Sequence, residues 1–341
     1  MNVAIVGITG SVGKEMLRCI NDLNISIKNL YLFASKKSAG TKMIFKDHEY
    51  VINEILDDSF KNINVALFAI SSELSIKYFK LAKKYNCIVI DNSSAFRLDL
   101  NHPLIIPEIN SDLIFNNNGL IANPNCSTIL MNLTLWKIYK KFGIKRIIVS
   151  TYQAASGAGI EGIQELKNQN KELIEKNKVI SKKVFGRQYA NNVFCHNSNV
   201  NILNGYNEEE LKMINETKKI FNNQEIKISV TCVRVPVLRA HSESINITLN
   251  NKASEEEIRE LLSKSDGIKV LDDRIKNCFP EPINTANKHD VYVGRIRKDI
   301  GQEDGYGYEM FISGDQILKG AALNAVQILE NVQRNIFKIK R

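Results

Sequence analysis

Residues 2–22 read NVAIVGITGSVGKEMLRCIND, and this stretch decides the fold. NVAIV opens as a continuous apolar run, the pattern of a strand buried on both faces. Gly7, Gly10 and Gly13 follow at G-x-x-G-x-x-G spacing, and Met16, Leu17 and Ile20 then recur with helical periodicity. Glycines at a strand-to-helix turn let backbone approach a pyrophosphate, and the helix N-terminus favours its charge. Such a triplet also serves a tight turn with no ligand. Its place after a strand and before a helix favours dinucleotide binding. The candidate contacts are Gly7, Thr9, Gly10, Ser11, Val12 and Gly13.

Working outward, NLYLFAS (29–35), NVALFAI (64–70) and CIVIDNS (87–93) read as further strands, and SIKYFKLAKKY (75–85) as a helix. This alternation through about residue 125 predicts β–α–β units and a parallel sheet. The second strand runs into ASKKSAG (34–40). An NAD-preferring site places an acid there to hold the ribose hydroxyls. Lys36, Lys37 and Ser38 instead offer cations and a hydroxyl, and the first acid comes only at Asp47. That suits the 2′-phosphate of NADP, with Lys37 and Ser38 as contacts.

After residue 125 the pattern changes. NPNCSTI (123–129) turns from a short apolar piece, GLIAN (119–123), into a helix carrying Ile129, Leu130, Leu133, Leu135 and Trp136. Cys126 therefore sits in a first helical turn, where unpaired N–H groups and the positive end of the dipole favour thiolate. A thiolate there is a competent nucleophile for an acyl carbon. RIIVSTYQAAS (146–156), ISVTCVRVPV (228–237), ESINITLN (243–250) and DVYVGRIRKD (290–299) read as long strands. GIEGIQELKNQNKELIEK (159–176), EEELKMINETKKIF (208–221) and SEEEIRELLSKS (254–265) read as helices, and 180–207 as loop. The final helix is LKGAALNAVQILENVQRNIF (318–337). The fold class is α/β: an N-terminal Rossmann-type parallel-sheet domain plus an α+β domain on a mixed sheet.

The chain has 341 residues, 44% hydrophobic and 24% charged, the composition of an ordinary globular protein of about two domains. Its net charge of +9 comes from lysines dispersed along the chain, which argues for a solvated surface and against nucleic-acid binding. Six scattered cysteines form neither a C-x-x-C pair nor a zinc spacing, so no metal and no disulfide framework is expected. No secretory signal or membrane-length apolar run is visible, and a cytoplasmic setting is expected.

GITGSVG, ASKKSAG, DNSSAFR (91–97), NPNCSTI, STYQAASGAG (150–159), GYNEEELKM (205–213), TCVRVPVLRAHSES (231–244), VYVGRIRKD (291–299) and LKGAALNAVQI (318–328) fall in one order and spacing. Over essentially the whole chain this order resembles the bacterial aspartate-semialdehyde dehydrogenase family. The resemblance implies NADPH-dependent reductive dephosphorylation of L-aspartyl 4-phosphate to L-aspartate 4-semialdehyde. That step leads to lysine, methionine, threonine and diaminopimelate. It implies Cys126 as the nucleophile, His241 as acid/base, and Gln153 as the side chain orienting the acyl intermediate. Arg234 and Glu209 correspond to ligands of the substrate carboxylate and ammonium, and Arg97 and Lys212 to phosphate ligands. Ser156, Gly157 and Asn324 correspond to cofactor contacts.

It further implies an NADP-binding domain from 1–125 plus 316–341, a catalytic and dimerisation domain from 126–315, and a homodimer or dimer of dimers without nucleic-acid or membrane partners. Two departures stand out. Cys195 precedes His196 in NNVFCHN (191–197) where relatives often carry Pro, so no cofactor contact is assigned there. Ala240 replaces a common Gly before His241, with no obvious chemical cost. A sibling reductase acting on N-acetyl-glutamyl phosphate is the nearest rival. The Gln153, Glu209 and Arg234 contexts argue against it, since an acetylated nitrogen needs no carboxylate partner. The SCTTN context of glyceraldehyde-phosphate dehydrogenase is absent.

Overall fold

The computed structural model describes residues 1–177 and 179–338. It divides into two compact units, residues 1–125 with 321–341 and residues 126–320. Residues 339–341, part of the first unit by sequence, lie outside the described residues.

In the first unit, β1 (Asn2–Val6) leads through the glycine turn into α1 (Ser11–Asp22). There follow β2 (Asn29–Phe33), β3 (Lys42–Phe45), β4 (His48–Asn53), β5 (Val65–Phe68), α2 (Ser72–Lys84), β6 (Ile88–Asp91), α3 (Pro107–Asn110) and β7 (Leu120–Ala122). The sheet order is β3-β4-β2-β1-β5-β6-β7. All pairs are parallel except β3 with β4. β1 and β5 are almost wholly buried, as continuous apolar runs require. The expected parallel sheet is present, with one addition. The β3–β4 hairpin, turning at Lys46 and Asp47 with φ of 48° and 62°, is absent from the sequence reading. Its strands are half exposed and its turn lacks glycine, so neither burial pattern nor turn composition marks it. A C-terminal helix, Leu323–Asn335, completes this unit. It follows a π-helical turn, Leu318–Ala322, where one continuous α-helix is predicted from sequence.

The second unit begins with α4 (Cys126–Phe142), then β8 (Ile144–Gln153), α5 (Gly159–Ile174), β9 (Phe194–Cys195), α6 (Glu208–Ile220), β10 (Lys227–Arg234) and β11 (His241–Leu249). α7 (Glu255–Ser263), β12 (Ile268–Val270), α8 (Pro282–Thr285), β13 (Val291–Lys298) and β14 (Gly307–Gly314) complete it. The sheet is mixed, in the order β12-β13-β14-β11-β8-β10-β9. β14 is a further strand missed in sequence. It lies inside the sheet, antiparallel to both β11 and β13.

α4 is apolar nearly all round and packs on β8, β11, β13 and β14 as well as α6 and α7, the behaviour of a core helix. Ile129, Leu130, Leu135 and Ile138 are fully buried there. Each contributes roughly 1.5–3 kcal/mol through burial, so the start of α4 cannot shift cheaply.

Candidate active site

β8 and β10 run parallel, with Gln153 and Arg234 in register at their C-terminal ends. β11 runs antiparallel to β8 and starts there with His241, which is paired to Gly314 at the end of β14. One edge of the second sheet thus gathers Gln153, Arg234 and His241. All three are buried.

Each is held by its neighbours. The Gln153 amide donates to Ser127 Oγ at 3.2 Å and to Glu209 Oε1 at 3.5 Å, tying the edge to the residue after Cys126 and to α6. Lys212, one turn along α6, places Nζ 3.4 Å from Glu209 Oε2. α6 itself is anchored by a capping box between Asn207 and Glu210, and Glu210 also accepts from the Cys232 N–H of β10. The Tyr189 hydroxyl donates to the Gln153 carbonyl at 3.0 Å, and burial pushes its pKa up.

The segment 180–190, read as plain loop in sequence, is organised onto α5. Glu165 accepts from the Val184 and Phe185 N–H groups, and Gln169 from those of Tyr189 and Ala190. Phe185 and Tyr189 join Ala155, Leu166, Ala190 and Phe194 in an apolar cluster.

Cys126 starts α4 and is partly exposed. Gly320 lies directly against it: a Cβ built there would stand 2.9 Å from the Cys126 Cβ. A side chain at 320 would therefore push on the thiol-bearing residue. Gly157 plays the same part for its neighbours. A Cβ there would lie 3.0 Å from Arg234 Nη1 and 3.2 Å from the His241 ring. Ser156, beside it, is buried and accepts from the Gln316 amide.

His241 accepts the Ala154 N–H at Nδ1, at 3.0 Å, so its own proton belongs on Nε2. That Nε2 is buried and has no hydrogen-bond partner among the described residues. Burial first, then the Arg234 charge, pull the pKa down to about 3, and the ring is neutral at physiological pH. Ala240 just before it has φ of 74°. Alanine here therefore has a backbone cost that the sequence does not reveal, because a Cβ is strained in the left-handed region. Asp315 and Gln316 hold this bend. Asp315 pairs with Arg239 at 2.7 Å, and Gln316 Oε1 accepts from the Ala240 N–H at 3.0 Å.

Arg234 is nine-tenths or more buried, and no carboxylate bonds it among the described residues. Its Nη1 donates to the Ala154 carbonyl at 3.3 Å, its Cζ lies 5.6 Å from the Phe185 ring centroid, and its Nε has no partner among the described residues. Sequence reasoning gave no role to His196, which accepts from Arg234 Nη2 at 2.7 Å. It also missed Glu243, which shares the His241 face of β11. Glu243 is fully buried, both its oxygens lack a partner among the described residues, and burial holds its carboxyl well above the usual carboxylate range. Only the alternation of the HSES run could have flagged it.

The first unit holds the other predicted residues. A Cβ on Gly7, whose φ is 88°, would meet the Ala69 carbonyl oxygen at 2.3 Å, and one on Gly13 would meet that of Gly7 at 2.4 Å. α1 begins after Gly10 with no side-chain cap, leaving its first N–H groups without that competitor. A cavity of about 350 Å³ opens beside this turn, lined by Gly7, Thr9, Ser35, Lys36, Glu54 and Tyr78 among others. These features fit a bound dinucleotide.

Lys37 and Ser38 lie in the 3₁₀ turn Lys36–Ser38 but do not line that cavity, whereas Glu54, an acid not considered from sequence, does. Arg97 is buried and donates to the Asn123 carbonyl at 2.9 Å and the Asn92 carbonyl at 2.7 Å. Asn324 is fully buried, and its amide donates to the Ile105 carbonyl and to Asn123 Oδ1. Among the described residues no group of His, Cys, Asp and Glu could hold a metal ion, and no helix is long and apolar enough to cross a membrane.

A Rossmann-type unit with a phosphate-ready glycine turn, together with a mixed-sheet unit presenting a cysteine, a histidine and a buried arginine, defines the semialdehyde dehydrogenase class. Residues 2–117 match the family model of the semialdehyde dehydrogenase NAD binding domain, and residues 135–319 that of its dimerisation domain. Similar proteins include the aspartate-semialdehyde dehydrogenase of Prochlorococcus marinus, 43% identical over 97% of this chain and 95% of that protein. That of Bacillus subtilis is 41% identical over 98% of each. The crystal structure of aspartate semialdehyde dehydrogenase II from Vibrio cholerae, complexed with ASA, superposes with a TM-score of 0.94 at 37% identity, covering 98% of both chains. The chain belongs to the aspartate-semialdehyde dehydrogenase family, whose members are oxidoreductases of amino-acid biosynthesis.

Proposed function

We propose that this protein is an NADP-dependent aspartate-semialdehyde dehydrogenase that reduces L-aspartyl 4-phosphate to L-aspartate 4-semialdehyde through a thioester on Cys126. The observation that carries the reading is the cluster at one sheet edge: Gln153, Arg234 and His241, tied through Gln153 to Ser127, the neighbour of Cys126.

The Cys126 sulfur, as thiolate, attacks the acyl carbon. The carbon–oxygen bond to phosphate breaks, phosphate leaves with the electron pair, and a thioester remains. NADPH, when bound, supplies a hydride to the acyl carbon. The resulting hemithioacetal on Cys126 collapses, returning its electron pair to sulfur and releasing the aldehyde. Gln153 orients the acyl group, Arg234 takes the α-carboxylate, and Glu209 takes the ammonium. Arg97 and Lys212 bind phosphate.

His241 is the acid/base partner. Its resting Nε2–H suits donation to the oxygen that becomes negative in each tetrahedral adduct. To accept the thiol proton as well, the ring must release the Ala154 N–H from Nδ1.

Gly7, Thr9, Gly10, Ser11, Val12 and Gly13 hold the pyrophosphate of the dinucleotide. Lys36, Lys37 and Ser38 favour the 2′-phosphate. Ser156 and Gly157 complete the cofactor contacts, and Asn324 supports them from within its unit by fixing Asn123. The second unit mediates a homodimer, supported by the match to a dimerisation domain.

The test is phosphate-dependent reduction of NADP⁺ with aspartate semialdehyde. Turnover is expected, and its absence in folded protein overturns the reading. Equal kcat/KM with NAD⁺ would remove the role of Lys36, Lys37 and Ser38.

A further inference from the structure

Arg234 presents an unusual electrostatic arrangement. A guanidinium buried without a carboxylate partner must be oriented by neutral acceptors, or its desolvation is uncompensated. Two such acceptors are present. The Ala154 carbonyl takes Nη1 at 3.3 Å, and His196 Nε2 takes Nη2 at 2.7 Å. The second bond is the shorter and better formed.

Because a guanidinium only donates, His196 must keep Nε2 free of its proton. The ring is itself fixed. Its Nδ1 then carries the ring proton and donates to Ser198 Oγ at 3.0 Å, which takes precedence over the longer approach of the Ser198 N–H to Nδ1 at 3.2 Å, and Ser198 Oγ also accepts from the Glu209 N–H at 3.3 Å. On the other side, the His196 N–H donates to the Cys232 carbonyl at 2.8 Å, and β9 pairs with the end of β10. The imidazole thus bridges the first turn of α6 and the tip of β10, the two elements that carry Glu209 and Arg234.

The charged groups facing it are Arg234, Glu209, Lys212 and Glu208. Burial first, then the Arg234 charge, bring its pKa down to about 4, so the acceptor form persists at neutral pH. A neutral acceptor has a consequence that a carboxylate would not. It aims the guanidinium while leaving its charge whole for an incoming anion.

We propose that His196 is a positioning residue for Arg234, setting the selectivity of the site for aldehydes and acyl phosphates that carry an α-carboxylate. This rests on the proposed role of Arg234 as the ligand of that carboxylate.

The test compares aspartate semialdehyde with 3-aminopropanal, the same aldehyde without its carboxylate, in the full-length protein. The readout is the ratio of the two kcat/KM values. In His196→Phe, which keeps ring volume but removes the acceptor, the ratio should fall at least tenfold, chiefly through a raised KM for the semialdehyde. In His196→Gln, whose amide oxygen can accept from Nη2, it should return to within threefold of the parent protein. A ratio unchanged in His196→Phe overturns the inference, whether both activities fall together or neither does. An equal fall in His196→Gln also overturns it, because the acceptor is then not what matters. If His196→Phe does not fold, His196→Ala carries the same comparison. Absence of semialdehyde turnover in the parent protein would instead defeat the proposed function, so the two failures remain distinct.

Discussion

At the scale of single residues, burial pulls the pKa values of His241 and His196 down and pushes that of Glu243 up. Replacing Cys126 by Ser should abolish turnover while NADPH still binds, which a fluorescence titration of the cofactor can follow. The two buried imidazoles have a stability consequence. Unfolding lets His241 and His196 protonate near their ordinary pKa of 6.5, while the folded values are about 3 and about 4. The unfolded chain therefore binds more protons below pH 6.5, and stability should fall as pH drops from there towards 4.

Glu243 acts in the opposite sense. Its carboxyl is protonated in the fold and ionises on unfolding, so its contribution is full below the ordinary carboxylate pKa and is lost as pH rises towards the folded value. Between those limits the loss is about 1.4 kcal/mol per pH unit. Glu243→Gln should thus gain stability relative to the parent protein as pH is raised from 5 to 7.5, measured by urea unfolding at each pH. A constant difference would show that the carboxyl is not held neutral.

At the scale of elements, glycine placement governs how closely backbone approaches Arg234 and His241. Gly157→Ala should lower kcat/KM by one to two orders of magnitude, because its methyl would crowd both Arg234 and His241. Circular dichroism should report an intact fold. Ala240→Gly should raise unfolding free energy by about 1 kcal/mol, because it relieves a left-handed alanine.

The sequence makes the main elements of both units legible where apolar period and turn glycines agree, as in β1, α1, α4 and β8. It does not reveal the β3–β4 hairpin or β14. The first has exposed strands and a Lys-Asp turn, and the second mixes Glu309 among apolar residues because Glu309 faces Arg297 at 2.5 Å on the open face. The same limit hides the place of His196. Nothing local in NNVFCHN says that antiparallel pairing with β10 will bring it onto Arg234. Cys126 and His241, by contrast, are proposed from flanking residues that follow a family pattern, not from periodicity.

At the scale of the whole molecule, the second sheet is covered on one face by helices, while Ile148 and Tyr152 on β8 remain 36% exposed. Tyr152 and Phe311 form a ring pair, with centroids 6.0 Å apart, on that outward face. These apolar side chains, set among Ser150, Ser244 and Asn246 on a sheet face, suit association with a second copy. Light scattering should give twice the chain mass, and Tyr152→Glu should shift it towards the monomer. An unchanged mass in that variant would place the contact elsewhere.

The contact between Gly320 and Cys126 bears on biogenesis. Residues 126–320 start and finish at adjacent points, so this segment is a cassette that can close on itself as soon as it has been synthesised. The nucleotide-binding unit cannot do so. Its sheet is laid down first, yet its last helix, Leu323–Asn335, supplies Asn324 and Val326 to the interior only after all of residues 126–320 have been translated. On the ribosome, the portion bearing Cys126 should therefore gain protease resistance before the portion that precedes it in the chain.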